Sequence, residues 1–161
     1  MSNDIKITKG YKGIKDVGYR YEYIGDITTV GNINIDLDKP LFVSGSIEAG
    51  GSIEAGGSIE AGGYIKAGKS IEAGEFYGIS AGLYIKAKLT IKCGLQIFAG
   101  ICIWRKLENI DKEITCTKLI DGNCAYGLLK IIQHKKHVIV IDGKEIELSE
   151  DSYNNLKESL K

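Results

Sequence analysis

The chain has 161 residues with 21 Lys+Arg and 21 Asp+Glu, so its formal charge is zero and no overall field draws it onto nucleic acid or an anionic membrane. Hydrophobic residues make up 43%, enough for a core and too many for a wholly disordered chain. Glycine is abundant (21) beside a single proline, which excludes collagen and leaves either a flexible linker or a fold that turns often.

The N-terminus, Met1 to Lys6, is polar and lacks the basic and apolar regions of a secretory signal. No run approaches the roughly 18 apolar residues of a membrane span. A cytoplasmic chain without membrane contact is expected. Residues 1–34 read as a polar, strand-like segment with turn signals at Gly25-Asp26 and Gly31-Asn32, leading into or capping the first coil of a repeat.

Residues 35–106 carry that repeat, with a period of six: Gly-Ser-Ile-Glu-Ala-Gly from Gly45, Gly51 and Gly57, Gly-Tyr-Ile-Lys-Ala-Gly from Gly63, then Lys-Ser-Ile-Glu-Ala-Gly from Lys69. Ile-x-Ala has the two-residue alternation of a strand with one face buried, and the glycines supply a corner at every unit. A short strand and a corner at fixed spacing describe a triangular β-solenoid, three units to a coil. About four coils are expected, stacked at the ~4.8 Å strand spacing. Residues eighteen apart then share a face. Ile35, Ile53, Ile71 and Ile91 form the first face, Leu41, Ile59, Ile79 and Ile97 the second, and Ile47, Ile65, Ile85 and Ile103 the third. The two extra residues near Glu75-Phe76 bulge at a corner. Glu48 should lie beneath Lys66, and Glu54 beneath Glu72.

Residues 107–161 read as a separate C-terminal α+β segment that caps the solenoid or mediates association. Ile114–Ile120 and Tyr126–Ile132 are candidate strands, and 137–148 reads as a hairpin turning at Gly143. Ser149 is a suitable N-cap for a terminal helix with Tyr153, Leu156 and Leu160 on one stripe.

Cys93, Cys102, Cys116 and Cys124 form no C-x-x-C pair, and four reduced thiols are expected. The run Gln133 to His137 reads as a polar hairpin tip in preference to a phosphate or metal site. No phosphate-loop motif, Ser/His/Asp set or sheltered carboxylate pair can be assembled. A non-enzymatic protein with no cofactor and no metal is therefore expected.

The Ile-x-Ala-Gly spacing of residues 45–74, followed more loosely over 83–104, resembles that of bactofilins. The resemblance implies a right-handed triangular β-helix and a non-catalytic, polymer-forming bacterial scaffold. The segment 107–161 departs from that pattern, because a folded appendage can block one end.

Charge divides along the repeat. Residues 44–75 carry Glu48, Glu54, Glu60, Glu72 and Glu75 against Lys66 and Lys69, a net of −3. Residues 83–106 carry Lys86, Lys88, Lys92, Arg105 and Lys106 with no acid, a net of +5, interleaved with Tyr84, Phe98 and Trp104. The acidic ladder (Glu48, Glu54, Glu60, Glu72) has its plainest reading as a solvated face. Lys86, Lys88, Lys92, Phe98, Trp104, Arg105 and Lys106 form the candidate partner-binding set, facing a protein or, through their local basic charge, nucleic acid. The expected function is recognition by a rigid surface. Lysine- and isoleucine-rich usage suits an AT-rich bacterial or phage genome, and hence a phage or mobile-element inhibitor of a host defence complex, as anti-CRISPR proteins are. The alternative is a bactofilin-like scaffold that self-assembles through a solenoid end or the C-terminal segment.

Overall fold

The computed structural model describes residues 3–133, 137–148 and 150–159. It divides into two compact units, Met1–Ile131 and Ile132–Lys161. The first unit is a β-solenoid. After β1 (Ile5–Ile7), β2 (Lys15–Asp16) pairs antiparallel with β3 (Tyr21–Tyr23), which opens the first full coil. That coil continues through β4 (Ile27–Thr29) and β5 (Ile33–Ile35). The second coil is β6 (Leu41–Val43), β7 (Ile47–Ala49) and β8 (Ile53–Ala55). The third is β9 (Ile59–Ala61), β10 (Ile65–Ala67) and β11 (Ile71–Glu72). The fourth is β12 (Ile79–Ala81), β13 (Ile85–Ala87) and β14 (Thr90–Lys92). The fifth is β15 (Gln96–Ala99), β16 (Glu113–Cys116) and β17 (Lys118–Ile120), and β18 (Asn123–Tyr126) and β19 (Leu128–Ile131) begin a sixth.

From β3 to β16 each strand pairs in parallel with the third strand after it, while β1 pairs with β5, which gives three sheets. The first face is β1-β5-β8-β11-β14-β17, the second β2-β3-β6-β9-β12-β15-β18, and the third β4-β7-β10-β13-β16-β19. The second face follows the expected register: Leu41, Ile59, Ile79 and Ile97 stack directly. Two rows differ from expectation. On the first face Ile53 stacks on Ile33, and Ile35 stacks on Ala55. The residues between Ile35 and Leu41 bulge at a corner, so Ile33 takes the leading place. On the third face Ile85 is followed by Ile114, while Ile103 is 93% exposed. The chain leaves the coil after Ala99 and returns at Glu113, so the six-residue count breaks there.

The coil also runs past both ends of residues 35–106. Tyr21, Ile27 and Ile33 are buried in the first coil, and Ile114 and Cys116 in the fifth. Residues 113–131 therefore continue the parallel stack, and the α+β character belongs to the second unit alone. Side-chain size explains why the stack persists where the Gly-rich signature fades. Any aliphatic or small residue at these positions fills the same interior, and each fully buried isoleucine contributes roughly 1.5–3 kcal/mol.

Most corner glycines are required by space. None of the repeat glycines from Gly45 to Gly94 has positive φ. A Cβ at Gly68 would lie 2.0 Å from the carbonyl oxygen of Gly50, one coil below. At the N-terminal end, Tyr11 and Ile14 pack against the core, and the Tyr11 ring meets that of Tyr23 at 6.0 Å.

The second unit contains a hairpin, β20 (His137–Ile141) and β21 (Lys144–Leu148), and the helix α1 (Glu150–Ser159). Asp142 and Gly143 turn the hairpin with φ of 51° and 75°, the left-handed pair that matches strand twist. The rings of His137 and Tyr153 stack at 3.9 Å. Ser149, Leu160 and His134, singled out in the sequence, lie outside the described residues.

Candidate protein-binding surface

The basic and aromatic residues picked from the sequence do not form one continuous patch. Lys86 points outward from β13 on the third face, between Lys66 and Thr115. Lys92 points outward from β14 on the first face and pairs with Glu72 at 2.8 Å. Phe98 points outward from β15 on the second face, between Ser80 and Tyr126. Lys88 sits at the corner after β13, where its N–H donates to the Ala67 carbonyl. Trp104, Arg105 and Lys106 lie on the excursion of residues 100–112, which leaves the solenoid directly after Phe98 and Ala99. Phe98 and the Trp104 to Lys106 run are thus gathered at the corner between the second and third faces. Lys92 belongs to another side of the rod.

The acidic residues are divided in the same way. Glu48 is on the third face, Glu54 and Glu72 are register neighbours on the first, and Glu60 is on the second. The Lys66 ammonium at 2.6 Å and the Tyr64 hydroxyl at 2.8 Å hold the Glu48 carboxyl below its usual range. The same bond to Glu48, reinforced by burial, pushes the Tyr64 hydroxyl up to about 12. Tyr64 also stacks on Tyr84, with ring centroids 4.9 Å apart. This third-face cluster is internally satisfied, the condition of a structural ladder.

The excursion is held in shape. Gly100, with φ of 80°, turns the chain out, and its N–H donates to the Leu83 carbonyl at 2.9 Å. Cys102 is buried, and its N–H donates to the Gly82 carbonyl at 2.9 Å. Arg105 grips Asp111 through two bonds of 3.1 and 2.7 Å, and Asp111 also accepts the N–H of Glu108. These donors keep the Asp111 carboxyl below its usual range. The chain then makes one 3-10 turn, Asn109–Lys112, before β16. On this braced segment Ile103, Trp104 and Ile110 are 93%, 68% and 64% exposed.

Beside it, the second face carries a groove of about 510 Å³ lined by Glu60, Ser80, Leu95, Gln96, Phe98 and Ile101, among others. Its outward row runs Phe42, Glu60, Ser80, Phe98 in register. The small Ser80 between larger neighbours makes the trough. Burial pushes the Glu60 carboxyl up, against the pull of Arg20 at 3.8 Å.

Sequence reasoning missed Leu95, Ile101, Ile103 and Ile110 as surface residues, and Glu60 as the floor of a groove. The available signal was the missing small residue two places after Ile101 and Ile103, where Ala or Cys follows every row from Ile47 to Ile97.

The cysteines are free among the described residues, and burial pushes the Cys93, Cys116 and Cys124 thiols up. No described group of three or more His, Cys, Asp or Glu residues is placed to hold a metal ion. Among the described residues no helix is long and apolar enough to cross a membrane. No family model matches the chain, and neither a curated protein nor a solved structure does.

Proposed function

We propose that this protein is a non-enzymatic protein-binding module that presents its second face and the 100–112 excursion to a partner. One observation carries the reading: large apolar side chains, Trp104 among them, stand exposed on a segment braced against a rigid coil. Exposed apolar groups cost solubility unless a partner covers them. A braced segment loses little conformational entropy on docking, and Trp is a frequent interface anchor. Blocking a surface of a host defence complex, the use suggested by the sequence, would be one such docking.

The test is affinity capture from a bacterial lysate with the intact chain and with Trp104→Ala. Replacing an anchor of this kind costs about 2 kcal/mol or more, roughly thirtyfold in affinity. Captured protein should be lost while the circular dichroism spectrum is unchanged. Equal capture by both chains would overturn the reading.

A second reading, a self-assembling scaffold, draws on one observation. Among the described residues β17, β18 and β19 each pair on one side only, and Leu128, Leu129 and Ile131 are 41–47% exposed. Light scattering over a concentration series tests it, and a constant mass at high concentration would remove it.

A further inference from the structure

Building on the reading of the second face as the binding surface, we infer that the groove over Glu60 takes a basic side chain flanked by an apolar one, on a segment of a partner protein. The register supplies the shape. Phe42, Glu60, Ser80 and Phe98 follow one another across four neighbouring strands. At the ~4.8 Å strand spacing Glu60 and Ser80 give the groove a floor of a carboxylate and a small hydroxyl, and the Phe98 ring bounds it on one side. Leu95 and Ile101, 53% and 47% exposed, are apolar walls.

Charge supplies the selectivity. Arg20 is already committed to Glu22, donating from Nε at 2.9 Å and from Nη2 at 2.5 Å. Its guanidinium also lies 4.5 Å from the centre of the Phe42 ring. What remains for Glu60 is a contact of 3.8 Å, too long for a hydrogen bond. The row thus sets two carboxylates against one guanidinium, and the groove holds the less satisfied of the two. A neutral occupant would strip water from Glu60 and return nothing, and an acidic one would add repulsion. An Arg or Lys replaces the lost water with a charge-assisted hydrogen bond, while an adjacent aliphatic or aromatic side chain covers Leu95, Phe98 and Ile101. Burial has already lifted the Glu60 carboxyl, and a bound cation would draw it back down.

The experiment pans a phage-displayed library of random twelve-residue peptides against the immobilised full chain. It then measures the enriched peptides in solution and maps them by amide chemical shifts. The expected outcome is enrichment of peptides with Arg or Lys beside Leu, Ile or Phe, shifting the amides of Gly78, Ser80 and Phe98. Glu60→Gln should weaken binding about tenfold, the scale of a charge-assisted bond. Ser80→Lys provides a second variant: it places an ammonium beside Glu60 in register, and should abolish peptide binding while the spectrum stays folded. No enrichment, enrichment of neutral or acidic peptides, or affinity unchanged in Glu60→Gln would each overturn the inference. Peptide affinity that falls as chain concentration rises would also overturn it, since a second copy would then fill the groove. Unchanged peptide affinity in Glu60→Gln, with partner capture still lost in Trp104→Ala, would remove this chemistry and leave the binding-module reading intact.

Discussion

Gly68 and Gly56 each follow an Ile-x-Ala triplet, yet they tolerate different neighbours. A Cβ on Gly68 would meet the Gly50 carbonyl oxygen at 2.0 Å, whereas one on Gly56 meets nothing within 4 Å. Gly68→Ala should therefore cost about 1–3 kcal/mol through forced separation of the coils. Gly56→Ala should stay within about 0.5 kcal/mol. Urea denaturation of the two variants measures both. Carboxylates on different faces should show opposite pH behaviour. Glu48 is held below its ordinary value of 4.5 by Lys66 and Tyr64. Its contribution is complete above that pH and is lost as pH falls through the lowered value. Glu48→Gln should flatten the loss of stability below an ordinary carboxyl value of 4.5. Glu60 is raised by burial, so the fold disfavours its charged form relative to the unfolded chain. Its contribution is present below 4.5 and is lost as pH rises through the raised value. Glu60→Gln should then raise the urea midpoint at neutral pH, with the gain vanishing on acidification. A groove that costs stability to keep its charge is a common signature of a working surface.

At the level of elements, the excursion of residues 100–112 stands apart from the strands. Its outer part is held by Arg105 on Asp111, and its base by Cys102 on Gly82. Asp111→Ala should speed amide exchange over residues 103–110 and leave the global unfolding midpoint unchanged, because no core residue is touched. A fall in that midpoint would show that the brace supports the coil itself. The strands around the excursion are legible from the sequence, since Ile47 to Ile97 recur with one small residue two places on. Glu48 beneath Lys66, and Glu72 above Glu54, follow from the same count. Legibility ends where the count changes. The bulge before Leu41 puts Ile33 where the count puts Ile35, and Ile103 reads as core because it sits six residues after Ile97. The strands from Ile114 onward read as a separate segment, because Leu119, Cys124 and Leu129 recur every five residues. The groove is not legible at all. It depends on which outward side chains become register neighbours, and that needs both the coil order and the bulges.

For the molecule as a whole, each coil touches only the coils above and below, so stability is a sum over neighbours. Amide protection should be greatest in the middle coils and fall toward β18 and β19, where Leu129 is 41% exposed against 0% for Ile59 and Ile65. Thiol labelling of the native protein checks the same gradient. Cys124, partly exposed, should react before Cys93 and Cys116, which are 1% and 0% exposed. Equal rates would mean that the whole rod opens at once. The second unit is too short to hold a large core of its own, and its hairpin should exchange fastest. Circuit length rises and falls along the coil: 20 residues from Tyr21 to Leu41, 18 from Leu41 to Ile59, 20 from Ile59 to Ile79, 18 from Ile79 to Ile97, and 27 from Ile97 to Cys124, where the excursion is inserted. The three sheets run on through these changes. The fold that absorbs two extra residues near Glu75-Phe76 absorbs the whole of residues 100–112 in the same way. A corner can thus lengthen into a surface of its own while the sheets that carry it stay as they are.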